Sequence, residues 1–526
     1  MKNSIKKIFA GALATASVFC FATACGGDSN NTSVPGGKNG KTITVEAVQL
    51  GYGLDWLKAV GDEWGALTGN TVRVVTNIGT RGNEAIEDKV QAKADADIFV
   101  YRTAEYAKRV YEGEVTVKGT KYPQVFLDIT DVCTTPLEGE GGATIDSKLN
   151  AELRNVYKLE NNYYGLPWIE GAMGIMRNVD VWNKLGLTDE DIPLTTDQLF
   201  DVCETIKDKG TAPFIYSSMD EYYSSFMGVW FMQYETDENI KNYLEGKDQS
   251  GNISQNLFTY QGHQEMLSVL ENLVKKTNGY QHSRSDGLEF TDMQGYFLQG
   301  QSAFCVNGAW LEIEMKSGAT KTKIDYIKTP VISALANRLS FKDAADKDDK
   351  LATLVKYVDE NESGYEGKPE FATEADVDTV RTARKRSYVA QGSSHLLAGS
   401  AYTKNPEEVK DFIRYLYSDK GMDCYYRATG GASLPLNLSA NGSYSNIEIS
   451  DFQKEVNKMN KDELVVFASA AKMYAIGGVN IKMFNGISSF VNELYNGTTT
   501  ASGILNANNK YMSDNWAQIS STLGIN

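Results

Sequence analysis

From residue 41 onward the apolar positions fall first at strand spacing and then at helix spacing. Residues 41–50 (KTITVEAVQL) set Ile43, Val45 and Ala47 between Thr42, Thr44 and Glu46, the period of a strand with one buried face. In residues 55–68 the apolar side chains Trp56, Leu57, Val60, Trp64 and Leu67 recur at helical spacing, and Gly69-Asn70 supplies a stop. Residues 71–77 (TVRVVTN) then predict a second strand, 84–92 a helix and 96–101 (ADIFVY) a third strand. Strands alternating with helices predict an α/β fold with a parallel sheet covered on its faces.

A second α/β region begins near Tyr164, where Tyr164-Gly165-Leu166-Pro167-Trp168 leads into an apolar run and Val181 to Leu187. Residues 196–207 predict a helix capped by Thr195 or Thr196 and ended by Gly210. Asn405-Pro406-Glu407-Glu408 combines an N-cap, a first-turn proline and acids at the positive helix end, ahead of Val409, Phe412, Ile413 and Leu416. Residues 340–386 are charge-rich, with the run Asp346-Lys347-Asp348-Asp349-Lys350, and predict a solvent-exposed excursion. No internal repeat is evident. Residues 300–315 (GQSAFCVNGAWLEIEM) run a small-residue apolar strand into Asn307-Gly308-Ala309-Trp310. The largest side chain of that stretch stands just past a glycine.

The N-terminus changes the picture. Lys2, Lys6 and Lys7 precede an uncharged run to Ala22-Thr23-Ala24-Cys25, the pattern of an export signal over residues 1–24. A cysteine directly after small residues is similar to the lipobox of bacterial lipoproteins, which makes Cys25 the expected lipidated residue. The alternative is an ordinary signal peptide cut elsewhere. Residues 25–40 are rich in Gly, Ser and Asn and read as a flexible tether. No run of about 18 apolar residues follows, so lipid is the expected membrane attachment.

The chain has 526 residues and a formal net charge of -16, a field that nucleic acid avoids. Its composition is that of a globular protein, enriched in Tyr and Trp. Beyond the tether the cysteines are Cys133, Cys203, Cys305 and Cys424, without metal-ligand spacing and expected as buried small hydrophobes. The three histidines, His263, His282 and His395, form no HExxH motif, and neither GxSxG nor a Walker loop is present. Acidic pairs such as Glu312 and Glu314 can in principle serve glycosidase chemistry, but solvated acids are the commoner outcome, so no enzyme is expected.

In order along the chain, Phe126-Leu127-Asp128-Ile129-Thr130, Tyr164-Gly165-Leu166-Pro167, Asn178, Leu185-Gly186-Leu187, Pro193-Leu194-Thr195 and the Asn307-to-Trp310 element resemble the bacterial extracellular solute-binding proteins of family 1. Arg177 stands where that family usually has Tyr. The resemblance implies two α/β lobes, a hinge crossed more than once, and a ligand cleft between them. It assigns residues 41–127 and 393–437 to the first lobe, and 128–392 and 438–526 to the second, with the charged insertion near 335–390. Residues 126–130 would be the first crossing.

The function it implies is capture of a carbohydrate, an oligosaccharide, by a lipid-anchored monomer on the extracytoplasmic face. Lobe closure would deliver the sugar to the permease subunits of an ABC importer. No cofactor is implied. Two alternatives stay open: a surface glycan-tethering lipoprotein without a transport role, and the same fold holding a polyol, a glycerol phosphate or a peptide.

A sugar needs flat aromatic faces and planar polar groups. By resemblance Trp310 is the stacking ring, with Asn307 beside it, against the alternative of plain core packing. The segment 217–223 carries an acid followed by an aromatic contact, either Glu221 with Tyr223 or Asp220 with Tyr222. Tyr101, at the end of its strand, and Phe484 match further stacking positions. Trp168, Glu170 and Tyr52 complete the candidates, while Trp56 and Trp64 lie on an apolar helix face and are expected in the core.

Overall fold

The computed structural model describes residues 40–92, 96–103, 105–218, 222–315, 322–390, 392–462, 465–466, 488–522 and 525. The export segment, Cys25, Asp220, Glu221 and Phe484 lie outside these residues.

The chain opens with β1 (Thr42–Gln49), β2 (Thr71–Ile78) and β3 (Ile98–Arg102). Both β2 and β3 pair parallel to β1, as the alternation of strand and helix predicts. The helix Asp55–Thr68 between the first two strands buries Trp56, Leu57, Val60 and Trp64. Its stop is Gly69, whose φ of 80° suits a residue without a Cβ. Leu67, expected on the apolar face, points to solvent.

After β4 (Leu166–Pro167) the chain leaves this sheet and enters a second one at β5 (Ala172–Asn178), followed by β6 (Ala212–Ile215), β7 (Ser302–Gly308), β8 (Ile324–Ile327) and β9 (Tyr388–Ala390). It then returns through β10 (His395–Gly399) and later adds β11 (Val465–Val466) to the second sheet. The sheet orders are β2-β1-β3-β10-β4 and β6-β7-β5-β9-β11, with β8 also on β5. Neither sheet is purely parallel. The returning strand β10 runs antiparallel to β3 because it arrives from the other sheet without a crossover helix.

Each sheet has its own apolar core. Residues 126–169 belong to the first, which corrects the expected crossing at 126–130. Leu127 N–H donates to Gly399 O and Ile129 N–H to Tyr163 O, while Val132, Cys133, Leu149, Leu153 and Tyr157 pack under the first sheet. The first crossing therefore falls at 168–171, and the second after Ala390 of β9 and before His395 of β10.

The charge-rich stretch is likewise no solvent excursion. Its helices Lys347–Glu360 and Glu374–Lys385 bury Leu351, Leu354, Val355, Val377 and Val380 in the second core. Arg384 fixes them together, with Nε and Nη2 donating to Asp359 and Nη1 to Thr329 O. The charges occupy the outer faces, a division that composition alone conceals. Cys133, Cys203, Cys305 and Cys424 are free and buried.

Candidate ligand-binding site

Strand β7 is wholly buried and ends at Gly308, after which Ala309 N–H donates to Ala172 O at 2.8 Å. That bond holds the β7 end against the start of β5, just past the first crossing. Trp310 follows as the residue preceding the short helix Leu311–Glu314, and its indole folds back over Gly308. A Cβ on Gly308 would stand 2.1 to 2.3 Å from three atoms of the six-membered ring. The glycine is there for space, since its φ lies outside the left-handed region.

The other side of Trp310 meets the first lobe. A Cβ on Gly51 would lie 2.7 Å from Trp310 Cβ, and Trp310 packs with the first core although its strand belongs to the second sheet. It is 8% exposed, with Gly308 of its own strand and Gly51 of the first lobe both against it. Tyr222 adds a second ring at 6.3 Å and 55°.

Around this pair lies a row of phenols. Gly51, Tyr52 and Gly53 form the turn after β1, closed by Gly53 N–H to Leu50 O at 2.7 Å. Burial raises the Tyr52 hydroxyl above its ordinary range, and the charge of Glu170, in the segment between β4 and β5, raises it further. Burial and the proximity of Tyr52 do the same to Tyr326. The Tyr326 hydroxyl donates to Ala172 O at 3.2 Å, with Asn307 O at 3.4 Å. Asn307 is fully buried; its Oδ1 accepts the Gly308 N–H at 2.7 Å, and its Nδ2 has no partner among the described residues. These phenols stay protonated at neutral pH and so can both donate and accept.

The structure thus brings Trp310, Tyr222, Asn307, Tyr52 and Glu170 to one junction of the two sheets. Three other candidates lie elsewhere. Tyr101 is fully buried in the first core, beside Glu87. Trp168 is also fully buried, stacked on Trp56 at 5.8 Å with its Nε1 donating to Tyr101 O. Tyr223 lies in the second core with its hydroxyl on Gln281. Adjacent residues of one helix point about 100° apart, so Tyr222 facing Trp310 turns Tyr223 inward.

The sequence pattern does not single out Gly51 or Tyr326. Only Gly51-Tyr52-Gly53 carries a signal, two glycines flanking a ring directly after a strand. Among the described residues no group of His, Cys, Asp and Glu is arranged to hold a metal, and no helix is long and apolar enough to cross a membrane.

The sequence profile of the bacterial extracellular solute-binding proteins matches residues 47–423. The chain belongs to this family. Its fold is the two-lobed α/β fold of that family, with a hinge and an interlobe cleft. Solved structures similar to this solute-binding protein include the solute-binding protein RafE in complex with raffinose, at a TM-score of 0.56 and 16% identity over 90% of this chain and 99% of that one. A structure from work on xylan utilization by Caldanaerobius polysaccharolyticus gives a TM-score of 0.61 and 18% identity over 89% and 99%. Maltose-bound MalE3 of T. maritima gives 0.56 and 12% over 90% and 99%. At these identities the likeness establishes the fold. No curated protein matches the sequence.

Proposed function

We propose that this solute-binding protein captures a carbohydrate, an oligosaccharide, between its lobes and delivers it to an ABC importer, without chemical turnover. The observation that carries this reading is Trp310, a flat ring between Gly308 of its own strand and Gly51 of the other lobe, with the Tyr222 ring 6.3 Å away and the buried Asn307 amide just upstream in the chain. Such a set supplies an apolar face for sugar C–H groups and neutral donors for hydroxyls. RafE and MalE3, which share the fold, are solved with raffinose and maltose. A lipid on Cys25, following the lipobox-like Ala22-Thr23-Ala24, would hold the receptor beside its permease.

Isothermal titration against raffinose, maltose and xylo-oligosaccharides, with chromatography of the sugars afterwards, tests the reading. Saturable binding of at least one sugar, recovered intact, is expected. Silence across the panel, or cleavage products, would overturn it.

A further inference from the structure

Glu312 and Glu314, the acidic pair just after Trp310, bond to different parts of the fold. The helix that carries them, Leu311–Glu314, is a single turn, with Ile313 N–H and Glu314 N–H donating to Trp310 O at 3.1 and 2.8 Å. One turn does not hold its own shape in water, so its place is set by what its side chains touch. Leu311 is buried in one apolar cluster with Phe452 and Val456, and Ile313 packs against the first core. Such apolar contacts are not directional. The two carboxylates supply direction: Glu314 Oε2 accepts from Gln294 Nε2 at 2.8 Å, on the helix Phe290–Leu298, and Glu312 Oε2 accepts from the Ser450 hydroxyl.

Ser450 is itself fixed. Its hydroxyl also accepts from Gln453 N–H at 3.0 Å, capping the helix Asp451–Asp462. That helix touches both lobes. Phe452, Val456 and Met459 are buried with Met176 and Tyr326 of the second sheet, while Asn457 Nδ2 donates at 3.0 Å to the oxygen of Gly431, which precedes Ala432 of the first core. Gln453, 2% exposed, donates through its amide to Asn457 Oδ1 at 2.9 Å. Hydrogen bonds therefore lead from Gly431 through Asn457, Gln453 and Ser450 to Glu312, on the turn that begins at Trp310.

Resting on the sugar reading above, we infer that Glu312 is a positioning residue for ligand binding. It acts through Trp310 and not on the sugar: by holding the Ser450 hydroxyl it fixes the Trp310 turn, and so the stacking ring, against the helix that touches both lobes. A carboxylate suits this task because a bond to a charged acceptor is stronger than one between neutral groups, and a ring held by a firm support binds without first having to be ordered.

Titration with raffinose, maltose and xylotriose of the wild type, Glu312→Ala, Glu312→Gln, Ser450→Asp, Trp310→Ala and the double variant with Glu312→Ala and Trp310→Ala tests the inference. Glu312→Ala is expected to bind the sugar that the wild type binds about tenfold more weakly, and to weaken it no further once Trp310 is alanine, since the two act as a unit. Glu312→Gln, whose amide oxygen still accepts from Ser450, should restore affinity to within about threefold. Ser450→Asp keeps a helix cap but sets a second carboxylate against Glu312, so it should lose about tenfold in affinity with the helix intact, and it answers the question should Glu312→Ala fail to fold. Undiminished affinity in Glu312→Ala or Ser450→Asp, or an equal loss from Glu312→Ala with and without the Trp310 ring, would overturn the inference and leave the sugar reading intact. A wild type that binds none of the three sugars would overturn both.

Discussion

The indole of Trp310 rests on the backbone of Gly308, two residues upstream, where a methyl group would come within 2.1 Å of Cη2. The position of the ring is therefore set by what Gly308 lacks. Gly308→Ala is expected to displace the ring, costing about 1–3 kcal/mol of stability as overpacking does, and to weaken sugar binding with it. Urea denaturation and titration together check this. A variant with wild-type stability and affinity would show that the contact imposes nothing.

Removing the ring tests the anchor itself. If Trp310 stacks on sugar in a desolvated site, Trp310→Ala should lower affinity by about 2 kcal/mol, roughly thirtyfold. Circular dichroism must show a folded variant. Retained affinity in such a protein would take Trp310 out of the site.

Stability of the first lobe draws on a buried ion cluster. Lys148 Nζ donates to Glu140 Oε2 at 2.7 Å, Asp419 Oδ1 at 2.8 Å and Tyr417 O at 3.1 Å, and its side chain is 2% exposed. Lys148→Met would leave the Glu140 carboxylate buried without its cation. A loss of about 3–5 kcal/mol is expected in urea denaturation.

His263 gives the second lobe a pH dependence. It stacks on Phe231 at 4.4 Å among Tyr243, Phe258 and Tyr260, and burial pushes its imidazole down to about 3. The unfolded chain takes up that proton near pH 6.5, so the contribution of the neutral ring is complete above this value. It falls as the pH drops toward 3, by roughly 1.4 kcal/mol per pH unit. His263→Phe, which keeps a ring against Phe231, should flatten the melting-temperature profile between about pH 6 and pH 4.5. An unchanged slope would assign the effect to other groups.

The four buried thiols should be inert. Burial, with the charge of Glu63, pushes Cys424 up to about 12, and burial raises Cys133 and Cys203 above the ordinary thiol range. A protein beginning at residue 40 should therefore react slowly with a thiol reagent at pH 8 when native and release four thiols in denaturant. Its melting temperature should not change with reductant. Fast native labelling would contradict the buried assignment.

Local pattern made much of this legible. Strand period in residues 41–50 and 71–77, helical period with Gly69 beyond it, and the Thr195 cap all report interactions between near neighbours, and β1, β2, the helix Asp55–Thr68 and the helix Thr196–Asp208 follow. Trp310, Asn307 and Tyr222 entered as candidates through the order of motifs along the chain, and the fold sets them beside the Gly51-Tyr52 turn and Glu170. Tyr101 and Trp168 lie in the first core, packed there by residues distant in sequence that local pattern does not reveal.

The sequence by itself determined the elements, the α/β class and the family, since periodicity, capping and ordered motifs are carried by contiguous residues. Tertiary structure alone decided which core residues 126–169 join, that the charged stretch packs inward, and which of Tyr222 and Tyr223 meets Trp310. An apolar face has no address written in it: it buries against whichever partner the long-range fold brings close. For Trp310 that partner is a glycine on each side, Gly308 from its own strand and Gly51 from the other lobe.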